Sequence, residues 1–224
     1  MATKEDLSEY LIAPDMSRSG LSRPVQGIDQ DGNPSAMSVI EERPLTIFLN
    51  AQEIVTAMTI GDYPEYLALG FLRNQGMLKN DSGVIGVSYD EDLETVVVRT
   101  ATQTTYEDKL KKKTRTSGCA VGTVFGDMME GLEDVQLPAS PVKTSWLYAL
   151  AVKINRTPSL YLDVGAIHGT VLCVEDRPLV YMEDVGRHNA VDKIAGWMLS
   201  EQVTAADKIL YTTGRLTSEM VIKT

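Results

Sequence analysis

A chain of 224 residues, 43% hydrophobic and 23% charged, can bury the core of one ordinary domain or two small ones, a balance foreign to disordered or fibrous proteins. Its 21 Lys and Arg against 31 Asp and Glu leave a formal net charge of -10, which repels polyanions over most of the surface, argues against general nucleic-acid binding and still permits a small anion in a local basic pocket. The first twenty residues mix acids with bases and contain no apolar run of signal-peptide length, and no later window is apolar enough for a bilayer, so a cytoplasmic protein with no membrane partner is expected.

Residues 1–43 are rich in Ser, Pro, Gly, Asp and Glu and read as an extended or poorly ordered arm, with GIDQDGNPS as consecutive turns and regular structure starting at Pro44. LTIFLN and EIVTAMTI then predict a hairpin. DYPEYLALGFLRNQGM predicts a helix, with Asp62 as its cap, Pro64 in its first turn and Gly76 at its end. VIGVSYD and ETVVVRT predict two more strands before the basic run EDKLKKK and the loop TRTSGCAVGT. VFGDMMEGLED and TSWLYALAVKIN read as helical, and the prolines from Pro138 to Pro141 mark a boundary between a β-rich part, 44–137, and an α/β part, 138–224. In that second part AIHGTVLCV, RPLVYM and KILYTTG are strands interleaved with the helical RHNAVDKIAGWMLSEQ. The alternation implies an α/β layer with a partly parallel sheet, and the whole chain a mixed α/β (α+β) class.

Polar residues concentrate in three segments beyond what packing needs. In EDVGRHNAVDK, residues 183 to 193, the apolar positions Ala190, Val191, Ile194, Ala195, Trp197 and Met198 orient a helix and put Arg187, His188 and Asn189 in its first turn. Free N–H groups and the dipole there favour an anion, so Arg and His fit if a phosphate or carboxylate lies between them. The competing reading pairs Asp184 and Asp192 with Arg187 and Lys193, which leaves His188 and Asn189 unexplained. TTGRLTSEM, residues 212 to 220, is a strand end with Gly214 and Arg215 in the turn and Thr217 or Ser218 as N-cap of a following helix, a place where open α/β sheets bind ligands. In VGAIHGTVL, His168 stands beside Gly169; both histidines of the chain thus flank Gly-marked turns.

The two cysteines, Cys119 and Cys173, are too few for a disulfide scaffold. Cys173, inside TVLCV, reads as a small buried hydrophobe. Cys119 stands near Lys109, Lys111, Lys112, Lys113 and Arg115, which would stabilise its thiolate and make it a nucleophile or a sulfur carrier. The alternative is a cysteine in a solvated basic loop whose shift is screened by salt.

TSGCAVG, GAIHG, MEDVGRHNAVDKIAGW and TTGRLTSEMVIK, in this order, resemble the formate dehydrogenase accessory sulfurtransferase family, FdhD, from about Pro44 to the end. The resemblance implies a cytidine-deaminase-like, three-layer α/β fold. It implies a sulfur carrier that takes persulfide sulfur from a cysteine desulfurase and passes it to the molybdenum, or tungsten, of a bis-molybdopterin guanine dinucleotide cofactor needed by formate dehydrogenase. Cys119 matches the persulfide-bearing cysteine, while the second cysteine of the Cys-x-x-Cys pair found in many relatives is Gly122 here. His168, Arg187, His188, Asn189, Gly214, Arg215 and Ser218 are the expected cofactor-binding set, and a homodimer is expected. The family runs on past Thr224, so the chain is expected to be incomplete. A cofactor-holding chaperone that needs no thiol is the alternative. A zinc hydrolase on the same fold would need His-x-Glu and Cys-x-x-Cys; His168 is followed by Gly169-Thr170 and no Cys-x-x-Cys exists, so no structural zinc is expected.

Overall fold

Branched and aromatic residues between turn signals form strands, and longer segments with helical periodicity form helices. In the computed structural model, which describes residues 10–78, 83–101 and 140–224, the strands are β1 (Ser22–Ile28), β2 (Pro34–Ile40), β3 (Arg43–Leu49), β4 (Gln52–Thr59), β5 (Val84–Asp90), β6 (Thr95–Thr100), β7 (His168–Val174), β8 (Arg177–Asp184) and β9 (Lys208–Thr212). The helices among the described residues are α1 (Pro64–Asn74), α2 (Thr144–Ile154), α3 (Leu160–Asp163), α4 (Arg187–Ser200) and α5 (Ser218–Lys223). The fold is mixed α/β, as expected, and no helix among these residues is long and apolar enough to cross a membrane.

The first large sheet has the order β4-β3-β6-β5. β3 and β4 form the expected antiparallel hairpin, and β3 runs parallel to β6. Helix α1 lays Leu67, Ala68, Phe71 and Leu72 on Leu45, Ile47, Val96 and Val98 of this sheet. It ends as predicted, with Gly76 at φ 68° just beyond its last turn.

The second sheet has the order β8-β7-β9 and is antiparallel throughout, contrary to the partly parallel sheet read from the sequence. The reason lies in connection length. β7 and β8 are joined by Glu175 and Asp176 alone, too short for anything but an antiparallel hairpin. Helix α4 then carries the chain from β8 across β7 to β9, so the two outer strands run the same way with β7 reversed between them. Both faces of this sheet are covered, which explains the near-continuous apolar runs of β7 and β8. Val171, Cys173 and Tyr181 meet Leu150 and Ile154 of α2, while Leu172, Val180 and Met182 meet Ile194 and Trp197 of α4.

Helices α1 and α4 join the two sheets at a backbone-to-backbone crossing. A Cβ on Gly70 would lie 1.7 Å from the Asp192 carbonyl oxygen, and one on Gly196 would lie 1.8 Å from that of Tyr66. Only glycine fits at either position.

Residues 10–43 require a correction, because regular structure begins before Pro44. Leu11 N–H donates to Leu179 O (2.8 Å) and Tyr181 N–H to Ile12 O (2.9 Å), which covers the open edge of β8. β1 and β2 pair from Ser22↔Ile40 to Ile28↔Pro34. The turn residues that read as disorder close this hairpin: Asp29 Oδ1 accepts from Asp31 N (2.9 Å) and Asn33 N (2.8 Å).

Candidate functional site

Three chain segments reach the same end of the second sheet. β7 starts at His168, which is paired with Asp184 at the end of β8, and β9 ends at Thr212 opposite Thr170. Three residues after the end of β8 the chain enters α4 at Arg187, and two residues after the end of β9 it passes through Gly214 to Arg215. Thr213 ties the last turn to the start of β7: its hydroxyl accepts from Gly169 N (3.0 Å) and its N–H donates to Gly169 O (2.9 Å). Gly214 presses on Arg187 so closely that a Cβ there would lie 2.8 Å from Arg187 Cβ. The structure therefore brings His168, Arg187, His188, Gly214 and Arg215 together at one end of the second sheet, from β7, α4 and the turn after β9.

Cationic groups crowd this convergence, and of them only Lys223 has a carboxylate partner among the described residues, Asp192 (2.6 Å). Burial pushes the His188 pKa down to about 4, with Lys223, Arg187 and His168 adding to the effect. His168 is lowered too, first by burial and then by Arg187 and Arg215. Both rings are thus held neutral beside two guanidinium groups and an ammonium. Among the described residues, Arg187 Nε, His168 Nδ1 and His188 Nε2 are buried without a hydrogen-bond partner. His188 Nε2 comes within 3.5 Å of Glu219 Oε2, but not in hydrogen-bond alignment. Idle buried polar atoms are rare in native proteins, and three of them fall within this convergence. Helix α4 adds the positive end of its dipole, since no side chain caps it.

The depressed His188 has a consequence for stability. Its folded pKa lies below the ordinary 6.5, so as pH falls the unfolded chain takes up this proton first, and the fold loses stability between about pH 6.5 and about 4, with no further loss from this group below that. We expect urea midpoints of the wild type to fall across this window and those of His188→Gln to fall less. Superimposable profiles would contradict the buried neutral ring.

Behind the site lies a buried polar network that rearranges several sequence expectations. Lys193, with no exposed surface, donates to Asp62, to Asp184 Oδ2 (2.6 Å) and to Glu183 O (2.9 Å). Asp62 is therefore not the cap of α1. That helix starts from Tyr63 in the left-handed region, φ 47°, because the Lys193 ammonium claims the carboxylate. Burial still holds the Asp62 pKa above the usual carboxylate range, against the pull of Lys193. Asp184 pairs with Lys193 rather than Arg187, and Asp192 with Lys223 Nζ (2.6 Å) and Asn74 Nδ2 (2.7 Å), so neither acid consumes Arg187. Of the alternative pairing read from the sequence, the Asp184–Lys193 pair forms and Arg187 is left out of it.

Asn189, expected on the ligand, instead donates its amide to Met58 O (2.8 Å) and Asp184 Oδ1 (3.0 Å). Ser218 lies exposed in the first turn of α5, and the cap is Thr217, whose hydroxyl accepts from Met220 N (3.4 Å). Cys173 is fully buried, its pKa pushed up to about 12, which makes it the inert thiol expected. Cys119, and the segment VFGDMMEGLED read as a helix, lie outside the described residues. The sequence reading missed Thr59, Thr213 and Lys223 as parts of the arrangement, and it missed the role of Lys193. A signal existed for Lys193: it falls on the apolar face between Ala190 and Trp197, where an unpaired lysine would not be tolerated.

The chain is similar to known proteins. A sulfur carrier protein FdhD of Bacillus pumilus (strain SAFR-032) is 29% identical over 191 residues, covering 83% of this chain and 71% of the relative. One from Listeria monocytogenes serovar 1/2a is 28% identical over 191 residues, covering 84% and 73%. The crystal structure of a candidate formate dehydrogenase accessory protein from Desulfotalea psychrophila superposes with a TM-score of 0.69 at 27% identity, over 90% of this chain and 77% of that one. The model of the FdhD/NarQ family matches residues 40–224, which hold every element from β3 onward and the whole cationic convergence, so the chain belongs to the FdhD/NarQ family.

Proposed function

We propose that this chain is a sulfur carrier acting as an accessory to formate dehydrogenase. Cys119 takes the outer sulfur of a cysteine desulfurase persulfide and passes it to the molybdenum, or tungsten, of a bis-molybdopterin guanine dinucleotide bound as substrate. In the first step the Cys119 thiolate attacks that sulfur and the desulfurase cysteine leaves as thiolate. The basic run from Lys109 to Arg115 favours the anionic thiol that this attack needs. Sulfur carriage is supported by the relatives named above.

The binding half of the proposal rests on one observation: three buried nitrogens without partners, on Arg187, His168 and His188, converge beside Arg215. That donor set suits the phosphates of a dinucleotide, with Arg187 and Arg215 supplying charge and the neutral histidines supplying directional hydrogen bonds. Both amide hydrogens of Asn189 are taken by Met58 O and Asp184 Oδ1, which leaves it no donor for a phosphate, while Ser218 lies exposed in the first turn of α5 and stays in the proposed set.

The test is restoration of formate dehydrogenase activity in cells lacking their own accessory protein. Cys119→Ala is expected to leave activity at background. Arg187→Ala is expected to bind inorganic pyrophosphate about tenfold to a hundredfold more weakly, the worth of one charge-assisted hydrogen bond. Full restoration by Cys119→Ala would instead favour a chaperone that holds the cofactor without a thiol.

A further inference from the structure

Asp184 is the most fully engaged carboxylate in the described structure. It is completely buried and accepts two hydrogen bonds on each oxygen. Oδ2 takes Thr59 Oγ1 (2.5 Å) and Lys193 Nζ (2.6 Å), while Oδ1 takes Gly186 N (3.1 Å) and Asn189 Nδ2 (3.0 Å). Three of these donors belong to α4 or its entry, at its cap, first turn and second turn. The fourth belongs to β4, in the other half of the chain. Asn189 closes the same loop by donating to Met58 O of β4 (2.8 Å). Three anchor points along less than two turns fix both the axial position of a helix and its rotation about its own axis. Arg187 Nε and His188 Nε2 make no hydrogen bond of their own, with Gly214 against Arg187 and Glu219 Oε2 3.5 Å from His188 as their local contacts, so their orientation follows first from that of the turn that carries them.

We propose that Asp184 is a positioning residue of the anion site, which locks the first turn of α4 to β4, with Asn189 as its clasp rather than a ligand contact. This inference rests on the phosphate reading of the site. Both hydrogens of the Asn189 amide are spoken for, so its contribution to binding passes through Asp184. Thr59, in a different sheet from the anion site, contributes by the same route. The prediction is therefore that two residues with no contact to the ligand control its affinity, and control it jointly.

The experiment uses the full chain as wild type, Thr59→Val, Asn189→Ala and the double variant. Inorganic pyrophosphate is titrated calorimetrically, and ring resonances are recorded for the two histidines, the only ones in the sequence. A core variant distant from the site, Val98→Ala, serves as a control for lost stability alone. Each single variant is expected to bind pyrophosphate about tenfold more weakly, as one buried charge-assisted hydrogen bond is lost. The double variant is expected to be no weaker than the worse single one, because both changes release the same turn. The His188 ring signals of the unliganded protein should move in both single variants and stay in place in Val98→Ala.

Multiplying losses in the double variant would place Asn189 directly on the ligand and overturn the proposal, as would unchanged binding in Thr59→Val. A wild type that binds no pyrophosphate overturns the phosphate reading. Positioning is then decided by the ring signals, and signals unmoved in both variants overturn it.

Discussion

Gly196→Ala is expected to destabilise the protein by more than about 3 kcal/mol, a large part of the 5–15 kcal/mol that holds a typical domain together. Helix propensity alone predicts the opposite sign, since alanine in place of a helical glycine is worth about 1 kcal/mol in favour of the fold. The crossing of α1 and α4 decides between the two effects. The new Cβ would lie 1.8 Å from the Tyr66 carbonyl oxygen, and the Gly70 position mirrors this with 1.7 Å to Asp192 O. The obstructing atoms are backbone, so no side chain can rotate away. The helices must separate, and the packing of α1 on one sheet and α4 on the other separates with them. Denaturant unfolding of Gly196→Ala and Gly70→Ala reads the outcome; a midpoint at or above that of the wild type would contradict the close crossing.

Lys193→Met is expected to cost about 3–5 kcal/mol, because it strands Asp62 and Asp184 in the interior without a counter-charge. Methionine replaces the aliphatic stem well, so lost packing is a minor part of the effect. The sign with pH separates the two causes. Stranded carboxylates have folded pKa values raised above their unfolded ones, so the penalty is full at neutral pH and shrinks as acid protonates them. The stability gap between variant and wild type should therefore narrow from pH 7 toward pH 4, and Asp62→Asn added to Lys193→Met should recover part of the loss. A gap constant with pH would assign Lys193 a packing role only.

The sequence disclosed more of the fold than of the wiring behind the site. Strands β3 to β9 and helices α1, α2 and α4 stand where periodicity and turn residues put them, since each buries its apolar face locally and the pattern records this. The direction of β7 was not legible, because strand direction depends on connection length and on which neighbour is paired, and periodicity carries neither. The hairpin of residues 22–40 was hidden by its own turn chemistry: a stretch of Asp, Gly and Asn that satisfies its backbone internally has the composition of a loose arm.

At the site, Arg187, His188, His168 and the Gly214-Arg215 turn were legible because cations and histidines beside glycine turns have no packing explanation. A polar residue in a first helical turn, such as Asn189, looks available to a ligand, and only the three-dimensional arrangement shows Met58 and Asp184 taking both its hydrogens. Asp62 was misread as a cap because local sequence favours the local partner, whereas Lys193, 131 positions away, holds it in the fold. Long-range pairing of this kind leaves no mark on either segment alone.

The account turns on Cys119 as a thiol that carries sulfur. Mass spectrometry of the intact chain after incubation with a cysteine desulfurase and cysteine tests this most directly. One added sulfur, about 32 mass units, is predicted on the Cys119 peptide, removable by reductant and absent from Cys119→Ala, with the buried Cys173 unlabelled. Equal labelling of wild type and Cys119→Ala, or no label on Cys119 at all, would contradict it.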